Sequence, residues 1–159
     1  MELNQVYNID CLEGIRQISS KSVKLIVADP PYFLGMTHNG KKGSFVDLEI
    51  CKPFYRDLFK QMKRVLTDDG EVFCFTDWRG YAFYYPLFDA AFSADNLVVW
   101  DKGSGPGSKY TFTHELIMFA GINKRLSRGG ETCGKSKGFP AGQNQQMGIW
   151  FTLPRNQRN

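Results

Sequence analysis

A chain of 159 residues, 42% of them hydrophobic, holds enough apolar material for one compact domain and too little for two. No run of eighteen apolar residues occurs and the polar, mixed start MELNQVYNIDC is no leader, so neither a membrane span nor a signal peptide is expected and a soluble chain is predicted. The net charge of +4 is unevenly spread, with seven cations and one acid from Ile122 onward against thirteen cations and fifteen acids before it.

A basic, Gly-rich tail suits a phosphate backbone, since Lys and Arg gain by releasing condensed counterions; a solvated terminus without a partner explains the same charge. The cysteines Cys11, Cys51, Cys74 and Cys133 lie far apart with no Cys-x-x-Cys pair. That spacing predicts neither a zinc site nor a disulfide framework, and it fits a reducing cytoplasm.

Taken in chain order, QVYNI reads as a short strand and CLEGIRQI as a helix with Leu12, Ile15 and Ile18 on one face. VKLIVA is a strand too apolar to be half exposed. After the polar loop HNGKKGS, Pro53 is expected to open a helix over PFYRDLFKQMKRVL, which Asp69-Gly70 closes before the buried strand EVFCFT. YAFYYPLFDAAF reads as an aromatic helix with Pro86 as an interior residue that can kink it. NLVVW and HELIMFA are two further strands, joined by the Gly/Pro-rich loop DKGSGPGSKYTFT without a helix and therefore antiparallel. The alternation predicts an α/β fold, doubly wound and mostly parallel with a final antiparallel strand, over residues 1–121. Residues 122–159 read as a basic, Gly/Asn/Gln-rich extension, a long loop carrying one apolar island, GIWFTL.

The stretch ADPPY ends a buried strand in residues that cannot continue it. Ligands of open α/β sheets gather at the carboxyl ends of the strands, and Asp29 stands at such an end. Pro30 and Pro31 lock φ and remove two backbone donors, so nearby carbonyls can face outward instead of pairing. A carboxylate, a main-chain carbonyl and the Tyr32 ring together suit a planar group bearing an NH₂. With both amine hydrogens held, the nitrogen lone pair leaves ring conjugation and can attack an electrophile, which is catalysis by positioning and electrostatics. Tyr32 or Phe33 would stack on a base swung out of its duplex. The structural alternative is a Pro-Pro turn capped by an aspartate.

These residues resemble the amino-group DNA methyltransferases that use S-adenosylmethionine, the adenine-N6 / cytosine-N4 family, with the β-type order in which the catalytic motif precedes the cofactor motif. YNIDCLEGIRQISSKSVKLIVADPPY is similar to the family's N-terminal signature, VLTDDGEVFCFTD to its next strand, and LVVWDKGSGPGSKYTFTHELIMFAG to its later strand, loop and final strand. The resemblance implies a partial Rossmann-like methyltransferase fold and a catalytic tetrad of Asp29, Pro30, Pro31 and Tyr32. It implies S-adenosyl-L-methionine as cofactor, held near Asp10, Cys11, Leu12 and Asp29, and double-stranded DNA as partner, with Phe33, Lys102 and Lys109 beside the extruded base or its phosphates. Asp before the prolines, rather than Ser, favours adenine within this resemblance.

Asp10 also reads as an N-cap, which is compatible with a cofactor role. The Gly103–Ser108 loop reads equally as a plain hairpin connection, Trp78 as core, and His114 as a satisfied structural histidine. The family's glycine-rich cofactor motif is not found in this sequence, where GSGPG lies between two strands. Two readings follow. One is an adenine-N6 DNA methyltransferase or its catalytic half; the other is a catalytically incomplete methyltransferase-fold protein that binds DNA or a partner chain. A homo-oligomer or a complementing chain is the expected assembly, because removing strands from a sheet leaves an edge to cover.

Overall fold

The computed structural model describes residues 2, 4–32, 37–38, 41–42, 45–123 and 148–152, with side chains described for all of these except 37–48 and 148–152. Three helices, α1 (Cys11–Arg16), α2 (Phe45–Val65) and α3 (Tyr81–Phe92), accompany a five-stranded sheet. Its strands are β1 (Val23–Asp29), β4 (Leu66–Thr76), β5 (Asn96–Asp101), β6 (His114–Gly121) and β7 (Gly148–Thr152), and a separate small hairpin pairs β2 (Thr37–His38) with β3 (Lys41–Lys42).

The sheet order is β5-β6-β4-β1-β7. β1 and β4 pair in parallel; β6 is antiparallel to both β4 and β5, and β7 is antiparallel to β1. Strands β1, β4 and β5 therefore run one way and β6 and β7 the other. The β1–β4 crossover passes through α2, as parallel neighbours require, whereas β5 and β6 need only a loop.

Side chains alternate across the sheet. Ile26, Ala28, Val72, Cys74, Met118 and Ala120 are buried on one face, under Ile15 of α1, Tyr55, Phe59 and Met62 of α2, and Tyr84 and Phe88 of α3. Aromatic edges lock the helical layer: Phe59 meets Phe88 at 5.8 Å and Tyr55 meets Tyr84 at 5.0 Å between ring centres. Arg64 near the end of α2 donates to the carbonyls of Ile15 and Ile18, at 2.9 Å each, and so ties α2 to the end of α1 and the turn after it. Leu25, Val27, Phe73, Phe75, Ile117 and Phe119 on the opposite face are only half-buried. The described helices thus form one layer on one face, half of a doubly wound arrangement.

Several expectations are corrected. QVYNI is not a strand: Val6 is 85% exposed, and among the described residues no neighbour pairs with this segment's backbone. Helix α2 begins at Phe45, so Pro53 lies inside it and does not open it, whereas Pro86 lies inside α3 as expected. Each proline leaves a carbonyl one turn earlier without its helical donor, and the residues concerned, Glu49 and Ala82, are exposed to water. Asp69-Gly70 does not separate helix from strand, because β4 begins at Leu66. Thr67–Gly70 is instead an irregularity within β4, where pairing passes from Val23–Leu66 to Leu25–Glu71, and Lys24 holds Asp69 there by an ion pair. Within the expected extension, Gly148–Thr152 forms β7 and Ile122 packs on the core. Residues 124–147 and 153–159 lie outside the described residues.

Candidate active site

The end of β1 delivers Asp29 to the carboxyl edge of the sheet, beside the end of β4. Pro30 is buried and Pro31 half-buried. The Tyr84 hydroxyl, on a residue 0% exposed, donates to the Pro31 carbonyl at 2.9 Å and lies 3.3 Å from the Tyr55 hydroxyl. Two core tyrosines from two helices therefore hold the Pro-Pro turn from below. Burial raises the pKa of both hydroxyls, so they act as fixed hydrogen-bonding groups and not as acids.

Asp29, Tyr32, Lys102 and Glu115 meet at this edge. The Tyr32 hydroxyl hydrogen-bonds to Glu115 Oε2 at 3.3 Å and also interacts with Asp29, while Lys102 Nζ donates to Glu115 Oε1 at 2.8 Å. Burial first, and the Glu115 charge after it, raise the Asp29 pKa above the ordinary carboxylate value, with the Tyr32 hydrogen bond opposing them. Part of Asp29 remains open to solvent, which moderates the burial effect and leaves its carboxylate accessible. Burial and the two neighbouring carboxylates raise the Tyr32 pKa, so its hydroxyl keeps its proton.

Farther along the edge, Asp77 is buried and accepts from Gly80 N at 2.7 Å, at the entry to α3, and from Arg79 Nε at 2.6 Å. The Arg79 guanidinium lies 6.0 Å from the Trp78 ring centre and 5.9 Å from that of Phe112, within cation–π range. Trp78 is 56% exposed, which overturns its reading as core. His114 is exposed as well, against its expected structural role. The loop 102–113 folds tightly on itself, with Phe112 N donating to Pro106 O at 2.8 Å. A Cβ at Gly105 would meet Phe112 O at 2.1 Å, so that glycine is required by close backbone approach. Lys102 joins the Asp29 cluster, whereas Lys109 is exposed on the loop and no described residue pairs with it. Phe33 lies outside the described residues.

Asp10 caps α1: its Oδ1 accepts from Leu12 N at 2.9 Å and Glu13 N at 3.1 Å. Its Oδ2 accepts no hydrogen bond among the described residues, so the cap leaves one acceptor facing water. Cys11 and Leu12 are half-buried against the core, and burial, followed by the Asp10 charge, raises the Cys11 pKa. Asp10→Ala should lower stability by about 1 kcal/mol, read as the shift of a urea denaturation midpoint.

The sequence did not single out Glu115, Tyr84, Tyr55 or Arg79. Glu115 had one legible signal: it stands second in a strand whose antiparallel neighbour ends just before Lys102, a register that brings the two charges together. The tyrosine contacts had none, being made by residues 53 and 29 positions apart.

An α/β sheet with an acceptor-rich Pro-Pro turn at the end of the interior strand β1 and a layer of helices behind it defines a Rossmann-like methyltransferase fold. The chain belongs to the N6/N4 amino-methyltransferase family, since residues 23–149 match its family model, described as DNA methylase. Type II methyltransferase M1.MboII of Moraxella bovis is 30% identical over 129 residues, covering 78% of this chain and 48% of that protein. Type II methyltransferase M.HinfI of Haemophilus influenzae is 28% identical over 141 residues, covering 77% and 39%. The structure of TTHA0409 from Thermus thermophilus, complexed with S-adenosyl-L-methionine, superposes with a TM-score of 0.51 at 21% identity, over 69% of this chain and 52% of that one. The chain thus spans less than half the length of these two relatives and about half of the solved structure. Among the described residues no helix is long and apolar enough to cross a membrane.

Proposed function

We propose that this chain is the catalytic portion of an S-adenosylmethionine-dependent DNA methyltransferase acting on the exocyclic N6 amine of adenine. The observation that carries the reading is the solvent-accessible Asp29 carboxylate beside a Pro-Pro turn pinned from the core by Tyr84. The Tyr84 hydroxyl occupies one lone pair of the Pro31 carbonyl, and the substrate amine is assigned to Asp29 and the Pro30 carbonyl. Holding both amine hydrogens localises the lone pair on nitrogen, and fixed acceptors need no reorganisation as positive charge develops there. Asp29 also takes the proton that the alkylated nitrogen releases, a role its raised pKa favours. Tyr32, held by Glu115, offers its ring to the base, and Arg79, Trp78 and Phe112 offer a cationic and aromatic rim to the strand.

The proposed cofactor, S-adenosyl-L-methionine, supplies an electrophilic methyl group on a sulfonium centre. Its amino groups fit the acceptors on this side of the site, namely the open oxygen of Asp10 and the Asp29 carboxylate, with Cys11 and Leu12 beside them. The reading leaves the glycine-rich part of the cofactor pocket to a complementing chain, a segment beyond these residues, or a second copy. Asp in place of Ser before the prolines supports adenine over cytosine.

Calorimetric titration with S-adenosylmethionine tests the first step. Saturable heat supports catalysis by this chain alone, and no heat at millimolar cofactor supports the second reading, a methyltransferase-fold protein that binds DNA or a partner without methylating. If transfer occurs, mass spectrometry of nucleosides from a treated duplex should show N6-methyladenine. N4-methylcytosine in its place would refute the assignment to adenine.

A further inference from the structure

An open groove of about 690 Å³ lies between α2 and α3. One wall carries Lys52, Arg56, Lys60 and Lys63 of α2, spaced four, four and three residues apart, so they form a single row along the helix. The floor is apolar: Phe83 and Leu87 are buried beneath it, and Ala82, Pro86 and Ala90 line it at every fourth position of α3. Glu49 is the one acid among the described residues that line the groove and pairs with Lys52 at 2.5 Å, while Lys63 donates to the Ala91 carbonyl at 2.6 Å. No described carboxylate lies within ion-pair distance of Arg56 or Lys60, both exposed.

We propose that this groove binds an acidic amphipathic helix of a partner protein. Charge complementarity selects the sign, because the lining carries four cations and one acid. The floor selects the class of partner. A phosphate backbone gains nothing from alanine, proline and leucine, whereas an amphipathic helix places its apolar stripe on α3 and its carboxylates against the α2 row. The dimensions agree: the row from Lys52 to Lys63 and the floor from Ala82 to Ala91 each run about 14–17 Å at the helical rise, room for roughly three turns. The Ala82 carbonyl, without a helical donor because of Pro86, adds an acceptor on this floor. The proposal stands apart from the methyltransferase reading, since none of these residues is assigned to that site.

The probe is a fluorescein-labelled amphipathic peptide of about four helical turns, with leucines on one face and glutamates flanking them, followed by fluorescence anisotropy. Saturable binding is expected, weakened about tenfold or more by Lys52→Glu/Arg56→Glu/Lys60→Glu, by Ala90→Glu in the floor, and by replacing the peptide's glutamates with lysines. Added salt should weaken it further. Circular dichroism confirms that each variant is folded, and Ala90→Glu alone, at an exposed helical position, keeps the test decisive if the triple variant is not. Equal binding of the lysine peptide, no saturation at millimolar glutamate peptide, or unchanged affinity in Ala90→Glu overturns the proposal. So does displacement of the peptide by duplex DNA, or loss of self-association in the charge-reversed variant, each of which would give the groove another occupant.

Discussion

Asp29→Ala is expected to lower methyl transfer by about 10²–10³-fold while leaving the fold intact, because it removes a preorganised acceptor whose work is done as charge develops on the amine. The measurement is transfer of a labelled methyl group from S-adenosylmethionine to duplex DNA, with circular dichroism as the control. Retained transfer in the folded variant would refute the proposed chemistry. The same carboxylate has a second, opposite signature. Its pKa is raised on folding, chiefly by burial and then by Glu115, so the folded state holds the Asp29 proton more tightly than the unfolded chain does. Its contribution to stability therefore falls as pH rises from the ordinary carboxylate value through the raised one, and at neutral pH the charge is a burden on the fold. Asp29→Asn should accordingly melt no lower than the parent at pH 7 and should lose any advantage at pH values below the ordinary carboxylate range. Transfer itself needs the carboxylate, so its rate should decline on the acid side at a pH above that of an ordinary aspartate.

Truncation of Tyr84 should produce the largest loss of stability. Tyr84 is 0% exposed and packs edge-on against Tyr55 and Phe83, so Tyr84→Ala is expected to lower stability by about 3–5 kcal/mol through the cavity it leaves. That is a large share of the roughly 5–15 kcal/mol available to a domain. Tyr84→Phe keeps the ring and removes only the hydroxyl, leaving the Pro31 carbonyl without its donor at about 1–3 kcal/mol. Urea denaturation of both variants separates ring from hydroxyl. A Phe variant as stable as the parent would show that the bond to Pro31 does not anchor the turn. If the anchor serves catalysis, Tyr84→Phe should lower kcat under conditions where the variant is fully folded, because the Pro30 carbonyl and Asp29 lose their fixed relation.

Legibility in the sequence tracked how local the determinant was. VKLIVA, EVFCFT, NLVVW and HELIMFA announced strands because apolar and β-branched runs have few other uses at that length, and the helix-free loop between the last two indicated their antiparallel pairing. The prolines misled for a local reason. Pro53 is an ordinary helix-opening residue when its neighbours are ignored, yet the eight residues before it are helical, and a proline is tolerated there because the freed Glu49 carbonyl reaches water. QVYNI has strand composition, but a strand is a relation between two segments, and none of the described residues pairs with it.

Sequence alone determined the elements of the site that follow from covalent structure: an aspartate at a strand end, two prolines that fix the turn and withhold their amides, and an aromatic ring after them. It also determined the family, since residues 23–149 match the family model without reference to the fold. Tertiary structure decided what surrounds them. Contacts between residues far apart in the chain depend on how the layers pack, so only the folded molecule shows Tyr84 reaching the Pro31 carbonyl, Lys102 and Glu115 meeting at the sheet edge, and Glu115 close enough to Asp29 to raise its pKa. The basic row of α2 became half of a groove for the same reason: its spacing is written in the helix, but its apolar floor belongs to α3.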